Sequence, residues 1–197
     1  MTTTTRTRLA PDQRREQLLG LGLRLFSGSS IEDISIDRLC EEGGVSRGLL
    51  YHYFGSKQGF HQAVIQRAAD DLVAQTEPPE EGEAVAKLLA SLTGYVDYVI
   101  ANHEGYRSLV RAAAGGNEAM RRIYDQARAA MIDRTFETPG VEVFLTDSPT
   151  TRLVVRGWVA FVEDSVLTWC DDPNGITRDE LAQIVTDALP ALIGTLG

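Results

Sequence analysis

The sequence predicts an all-α protein: a small three-helix head carrying a helix-turn-helix, followed by a larger helical body, with about nine helices in all. Three observations carry this. Apolar residues recur at i, i+3 and i+4 along most of the 197 residues. Alternating, β-branched strand patterns are scarce. Short breaks rich in glycine, serine and proline punctuate the helical stretches at SGSS (27–30), Gly43-Gly44, Gly55-Ser56, EPPEEGE (77–83), Gly115-Gly116 and DDPNG (171–175).

The elements follow in order. Pro11 suits the first turn of helix one, whose stripe is Leu18, Leu19, Leu21, Leu25 and Phe26. Gly20 and Gly22 lie inside it at a cost of about 1 kcal/mol each against alanine, which close helix packing would explain. Ser35 reads as the N-cap of a short second helix, Gly43-Gly44 as the turn, and Val45 or Ser46 as the start of a third helix reaching Phe54. Ser56 caps a fourth helix to about Thr76. A fifth runs from about Ala84 to Asn102, a sixth over Gly105–Ala114 and a seventh over Asn117–Phe136. ETPGVEVFLTDSPT reads as an irregular connection. The helix at 150–170 is apolar almost all round. Thr177 with Glu180 forms a capping box for a last helix, where Pro190 is a candidate kink. The expected division is residues 1–56 for the head and 57–197 for the body.

Charge is unevenly placed. Residues 1–67 hold nine Lys/Arg and seven Asp/Glu; the remainder holds ten and twenty-one, within an overall net charge of −9. A mildly basic head on an acidic body confines any attraction to polyanions to the head. The first fifteen residues lack the apolar core of a secretory signal. The apolar run LVVRGWVAFVEDSVLTW is broken by Arg156, Glu163 and Asp164, which favours a buried helix over a membrane span. Cys40 and Cys170 form no spaced framework. They read as reduced thiols in the cytoplasm, with a single bridge between them as the alternative.

The densest chemistry is VSRGLLYHYFGSK, residues 45–57. In a helix-turn-helix the second helix enters the major groove with its N-terminal residues toward the bases. That end is Ser46-Arg47-Gly48. Arg47 has the fork that reads guanine, and Gly48 leaves room for close approach. Tyr51, His52, Tyr53 and Lys57 suit phosphates, with Tyr51 or His52 also near base edges. Ser35 offers a hydroxyl and a backbone N–H to phosphate at a helix start. Arg6 and Arg8 read as a tail, or as an arm on the duplex.

With RREQLLGLGLRLF, ISIDRLCEEGGVS and RGLLYHYFGSKQGFHQAVI in view, residues 9–67 resemble the DNA-binding head of tetracycline-repressor (TetR) family transcription regulators. The resemblance covers about a third of the chain. It implies an all-helical homodimer that represses transcription from double-stranded DNA and carries a ligand pocket in its body. Carried over, the DNA contacts fall on Ser35, Ser46, Arg47, Gly48, Tyr51, His52, Tyr53 and Lys57. Leu49 departs from the small or polar residue common at its place.

Other clusters read more plainly. His52, His61 and His103 lack the neighbours of a metal site, so neither metal nor cofactor is expected. The acid pairs Glu80-Glu81, Glu163-Asp164 and Asp171-Asp172 read as solvated surface, and no catalytic constellation appears, so an enzyme is not expected. The helix at 150–170 and the last helix are expected to pair with their copies in a four-helix dimer bundle. Tyr95, Tyr98, His103, Tyr106, Arg107, Tyr124 and Trp158 are candidates for a pocket that takes a largely apolar inducer. Packing is an equal reading for each, and for Arg107 a salt bridge is the simpler one.

Overall fold

The computed structural model describes residues 10–28 and 34–196. Arg6, Arg8 and the end of SGSS lie outside the described residues. Nine α-helices and no strand occur among those described. They are α1 (Pro11–Ser27), α2 (Ile36–Gly43), α3 (Arg47–Phe54), α4 (Lys57–Gln75), α5 (Ala84–Ala101), α6 (His103–Ala114), α7 (Glu118–Glu137), α8 (Pro149–Asp171) and α9 (Arg178–Ile193).

Serine hydroxyls start the short helices. Ser35 accepts from the Arg38 N–H at 3.3 Å, Ser46 from Leu49 N–H at 3.2 Å and Ser56 from Gly59 N–H at 3.0 Å. Each satisfies one of the orphan donors of a helix start. Gly44 adopts φ 61°, ψ 40° and turns the chain from α2 toward α3, a left-handed conformation that glycine adopts without penalty.

The head is built on Leu18, Leu39, Leu50, Phe60, Val64 and Ile65, all 0 % exposed. This core does not stop at the head: Leu109 of α6 and Met120 and Ile123 of α7 belong to it. Of the two glycines in α1, only Gly22 is needed for packing. A Cβ there would lie 2.5 Å from Val64 Cγ2 and 2.8 Å from Phe60 Cζ, whereas at Gly20 the nearest atom would be Arg24 Nη1 at 4.0 Å.

The body forms around Val96, Val99, Val166 and Val185, with Val155 in an adjoining cluster. α5 is long and apolar enough to cross a bilayer by length and composition. In the fold its Tyr95, Val96, Tyr98 and Val99 are buried. The 138–148 connection contains a 3₁₀ turn, Val141–Val143, anchored by the buried Val141 and Leu145. The Thr177–Glu180 capping box is present. The helix α9 continues through Pro190 to Ile193. One reading of the sequence is overturned: Glu163 is not solvated surface but 8 % exposed.

Candidate nucleic-acid interface and body cavity

α3 is held from below by Leu50 and from its flank by Val45, Tyr51, Tyr53 and Phe54, which pack on the head core. Phe54 meets Phe60 edge-on at 5.1 Å, and the Arg15 guanidinium sits over the Phe54 ring at 5.2 Å. Ser46, Arg47, Gly48, Leu49 and His52 are exposed, as is Lys57 at the start of α4. Ser35 is exposed at the start of α2. Tyr51 and Tyr53 are half-buried, so their rings serve the fold while their outer edges remain available. No side chain comes closer than 3.9 Å to a Cβ placed on Gly48, so nothing in the fold covers that position.

Arg47 is not free. Its Nε donates to Asp37 Oδ1 at 2.6 Å, and a second guanidinium N–H reaches Oδ2. This hydrogen bond and the Asp37 charge raise the Arg47 pKa further. Sequence reasoning missed Asp37 because it lies ten residues away on a different helix, and only the crossing of α2 and α3 brings the two together. The serine caps accept through their oxygens, which leaves each hydroxyl proton free for a phosphate.

The pocket candidates separate into three places. Tyr95 and Trp158 border a cavity of ≈ 80 Å³ between α5, α7, α8, α9 and the end of α4. Its apolar walls include Leu88, Leu92, Met131, Val159, Val162 and Leu189; its polar groups are Thr76, Ser91, Arg134, Thr135 and Thr138. Tyr98, Tyr106 and Tyr124 line a smaller cleft of ≈ 20 Å³ beside it, with Phe26 of α1 and Ala68, Ala69 and Leu72 of α4. His103 and Arg107 line neither. His103 Nε2 lies 3.2 Å from Glu104, and Arg107 is bound by Glu104 and Asp171.

The tyrosines are joined by a buried network. Tyr95 and Tyr106 hydroxyls are 3.0 Å apart; Tyr106 donates to Glu163 Oε2 at 2.7 Å and Tyr124 to Oε1 at 2.7 Å. Arg128 donates to the Tyr124 oxygen at 2.7 Å. Burial pushes the Tyr95, Tyr106 and Tyr124 pKa values well up, so these hydroxyls remain protonated donors. Tyr98 donates to the Ala68 carbonyl of α4 at 2.7 Å, and Trp158 Nε1 to Val185 O at 2.8 Å. A signal for the network was present in the sequence: a carboxylate among valines has to be paired when buried. The sequence did not say which side of α8 faced inward.

Cys40 and Cys170 are free thiols. No group of three or more His, Cys, Asp or Glu is placed to hold a metal among the described residues.

A short helix, a left-handed glycine turn and a second helix with an exposed basic N-terminal end, mounted on a helical body, define a DNA-binding protein of the helix-turn-helix class. Comparison with known proteins specifies the family. A model of bacterial regulatory proteins of the tetR family matches residues 18–64, and a model of the tetracycline repressor-like C-terminal domain matches 85–192. The transcriptional activator FasR of Mycolicibacterium smegmatis is 25% identical over 178 residues, covering 89% of this chain and 81% of FasR. The regulator BetI of Cronobacter sakazakii is 31% identical over 88 residues, 43% of this chain and 44% of BetI. A crystal structure of a tetR-family transcriptional regulator from Streptomyces coelicolor superposes with a TM-score of 0.84 at 33% identity, covering 95% of this chain and 83% of that one. The chain belongs to the TetR family and is a DNA-binding transcriptional regulator, not an enzyme.

Proposed function

We propose that the protein is a cytoplasmic repressor, released from a palindromic operator by a small, largely apolar ligand. The observation that carries the DNA half is the uncovered first turn of α3. Ser46, Arg47 and Gly48 are exposed, and the side chain that meets this turn from α2 is the equally exposed Asp37, on Arg47. In this reading Arg47 leaves Asp37 to read a guanine. Tyr51 and His52 lie near base edges, and Ser35, Tyr53 and Lys57 hold phosphates.

A symmetric pair of heads comes from a homodimer. Leu153 (70 % exposed) and Phe161 (42 %) of α8, with Ile184 (49 %) and Leu192 (40 %) of α9, leave apolar side chains on two adjacent helices without partners in the monomer. Pairing these helices with their copies buries them in a four-helix arrangement. Two-fold symmetry then matches a palindromic site.

Release runs through α4. Its first residue, Lys57, adjoins α3, and its C-cap, Thr76, borders the cavity. One helix of about 28 Å therefore spans from the duplex to the ligand. A ligand that fits better when α4 is displaced tilts the head, and a coupling of about 1–3 kcal/mol alters operator affinity about 5- to 150-fold. In this reading the head spans 1–56 and the body 57–197, with α4 at the start of the body.

A second reading, activation of transcription, is favoured by the similarity to FasR, a transcriptional activator. Selection of bound fragments from a genomic pool, followed by transcription in vitro from the recovered promoters, separates the two. Repression predicts fewer transcripts when protein is added; more transcripts would establish activation. Failure to retain any duplex at low salt would overturn both.

A further inference from the structure

Arg134 of α7 is the one charged side chain among the described residues lining the ≈ 80 Å³ cavity. Its Nη1 donates to the Val73 carbonyl of α4 at 2.7 Å and reaches Thr76 Oγ1 at 3.4 Å. Among the described residues it has no carboxylate partner, although the body is rich in acids. Arg107, Arg152 and Arg178, elsewhere on the body, each hold at least two carboxylates. A half-buried guanidinium beside an apolar void, with only carbonyl and hydroxyl acceptors, retains unused N–H donors and an uncompensated charge.

The other polar groups of the cavity offer little competition. Thr76, Thr135 and Thr138 donate their hydroxyl protons to carbonyls of their own helices, Thr76 to Leu72 and Val73, Thr135 to Met131 and Thr138 to Arg134. The Ser91 hydroxyl makes no hydrogen bond among the described residues and is the second available donor. The cavity thus has apolar walls with one positive end, where Arg134 also serves α4. That helix carries no basic residue in its own last turn, so Arg134 supplies the cation its terminal carbonyls favour.

We propose that the cavity binds a small monocarboxylate with an apolar body, and that its carboxylate takes Arg134 away from the Val73 carbonyl, loosening the end of α4. This rests on the ligand-release reading above and specifies its chemistry. An arginine–carboxylate pair is two-pronged and stronger than a single bond to a neutral carbonyl. At about 10–15 Å³ per water-sized position, the cavity holds about five to eight such positions. That is the size of hexanoate or benzoate.

The experiment titrates the full-length protein calorimetrically with hexanoate, benzoate and their neutral counterparts hexanamide and benzamide. It then measures affinity for a genomically selected duplex with each probe present. The acids are expected to bind at least about tenfold tighter than the amides and to weaken duplex binding. Arg134→Met is expected to lose the acid preference with little change for the amides, and without any probe to bind the duplex about 5- to 150-fold more weakly. Arg134→Lys, which keeps the charge without the fork, should retain part of the preference. The comparison of acid with amide in the unaltered protein needs no variant to fold. Equal affinity for acids and amides, an acid preference that survives Arg134→Met, or no binding of any of the four at millimolar concentration would overturn the assignment. If acids and amides bind equally and both release DNA, ligand release stands and the role of Arg134 falls. If acids bind through Arg134 but duplex affinity does not move, the carboxylate site stands and its coupling to α4 falls.

Discussion

Arg47 at the start of α3 is fastened to Asp37 in the first turn of α2, with Nε 2.6 Å from Oδ1. Under the proposed DNA reading, the residue expected to read a base is therefore held by an acid of its own fold. Both side chains are well exposed, at 61 % and 69 %, so water screens the pair and duplex phosphates can compete for it. In the proposed reading Asp37 is a placeholder that orients the guanidinium in the free protein and opposes binding to unrelated DNA.

Two substitutions separate these effects. Asp37→Asn is expected to tighten binding to all duplexes by about two- to fivefold at low salt, with selectivity reduced. Arg47→Ala is expected to weaken binding to the preferred duplex about 5- to 150-fold and to relax selectivity at one base position. Fluorescence anisotropy over a potassium chloride series reads both. Unchanged affinity in the two variants would remove Arg47 from the contact surface.

The glycines of α1 give a contrast within one helix. Gly22→Ala drives a methyl into Val64 and Phe60 and is expected to destabilise the protein by about 1–3 kcal/mol. Gly20→Ala meets open space and is expected to stabilise it by up to about 1 kcal/mol. Urea unfolding midpoints measure the difference, and the same sign in both would contradict the packing described.

Glu163 holds two tyrosine hydroxyls from two other helices. Glu163→Leu strands both donors and is expected to cost about 2–4 kcal/mol; Glu163→Gln, which keeps one acceptor, should cost less. Thermal unfolding with intrinsic fluorescence orders the three proteins, and a leucine variant as stable as the parent would show the network to be dispensable.

His61 carries a pH prediction. Burial first, and then the charge of Lys57, holds its imidazole below the ordinary value of 6.5, and its Nε2 is buried without a partner. The unfolded chain takes up this proton at higher pH than the folded protein does. The neutral ring's contribution is therefore complete above about pH 7 and is lost as pH falls through 6.5 toward the lower folded value. Urea unfolding at pH 7.5 and 5.5 should show a smaller loss of stability on acidification for His61→Gln than for the parent. An identical loss would assign the pH dependence to other groups.

The apolar face of α8 and α9 yields a prediction about assembly. Phe161→Glu combined with Ile184→Glu places charge at the centre of the proposed four-helix pairing. Light scattering after gel filtration should show a dimer for the parent and a monomer for the double variant, with DNA affinity falling in parallel. A parent that is monomeric at tens of micromolar would remove the symmetric model.

Local rules made much of this molecule legible in its sequence. Ser35, Ser46 and Thr177 announced helix starts because a hydroxyl at an N-cap meets an orphan N–H only a few residues on. Gly44 announced the turn because its backbone angles are a property of the residue itself. The head's helix-turn-helix was readable for the same reason, since α2, the turn and α3 are contiguous and their spacing is short. Relations between distant segments were decided only by tertiary packing. Asp37 meets Arg47 because two helices cross. Glu163 is buried because α8 turns that side toward Tyr106 and Tyr124. Arg134 finds the end of α4 sixty-one residues away. Periodicity tells which residues share a face of a helix, but the partner of that face depends on how the helices pack, and in this protein that packing placed the charges of the body.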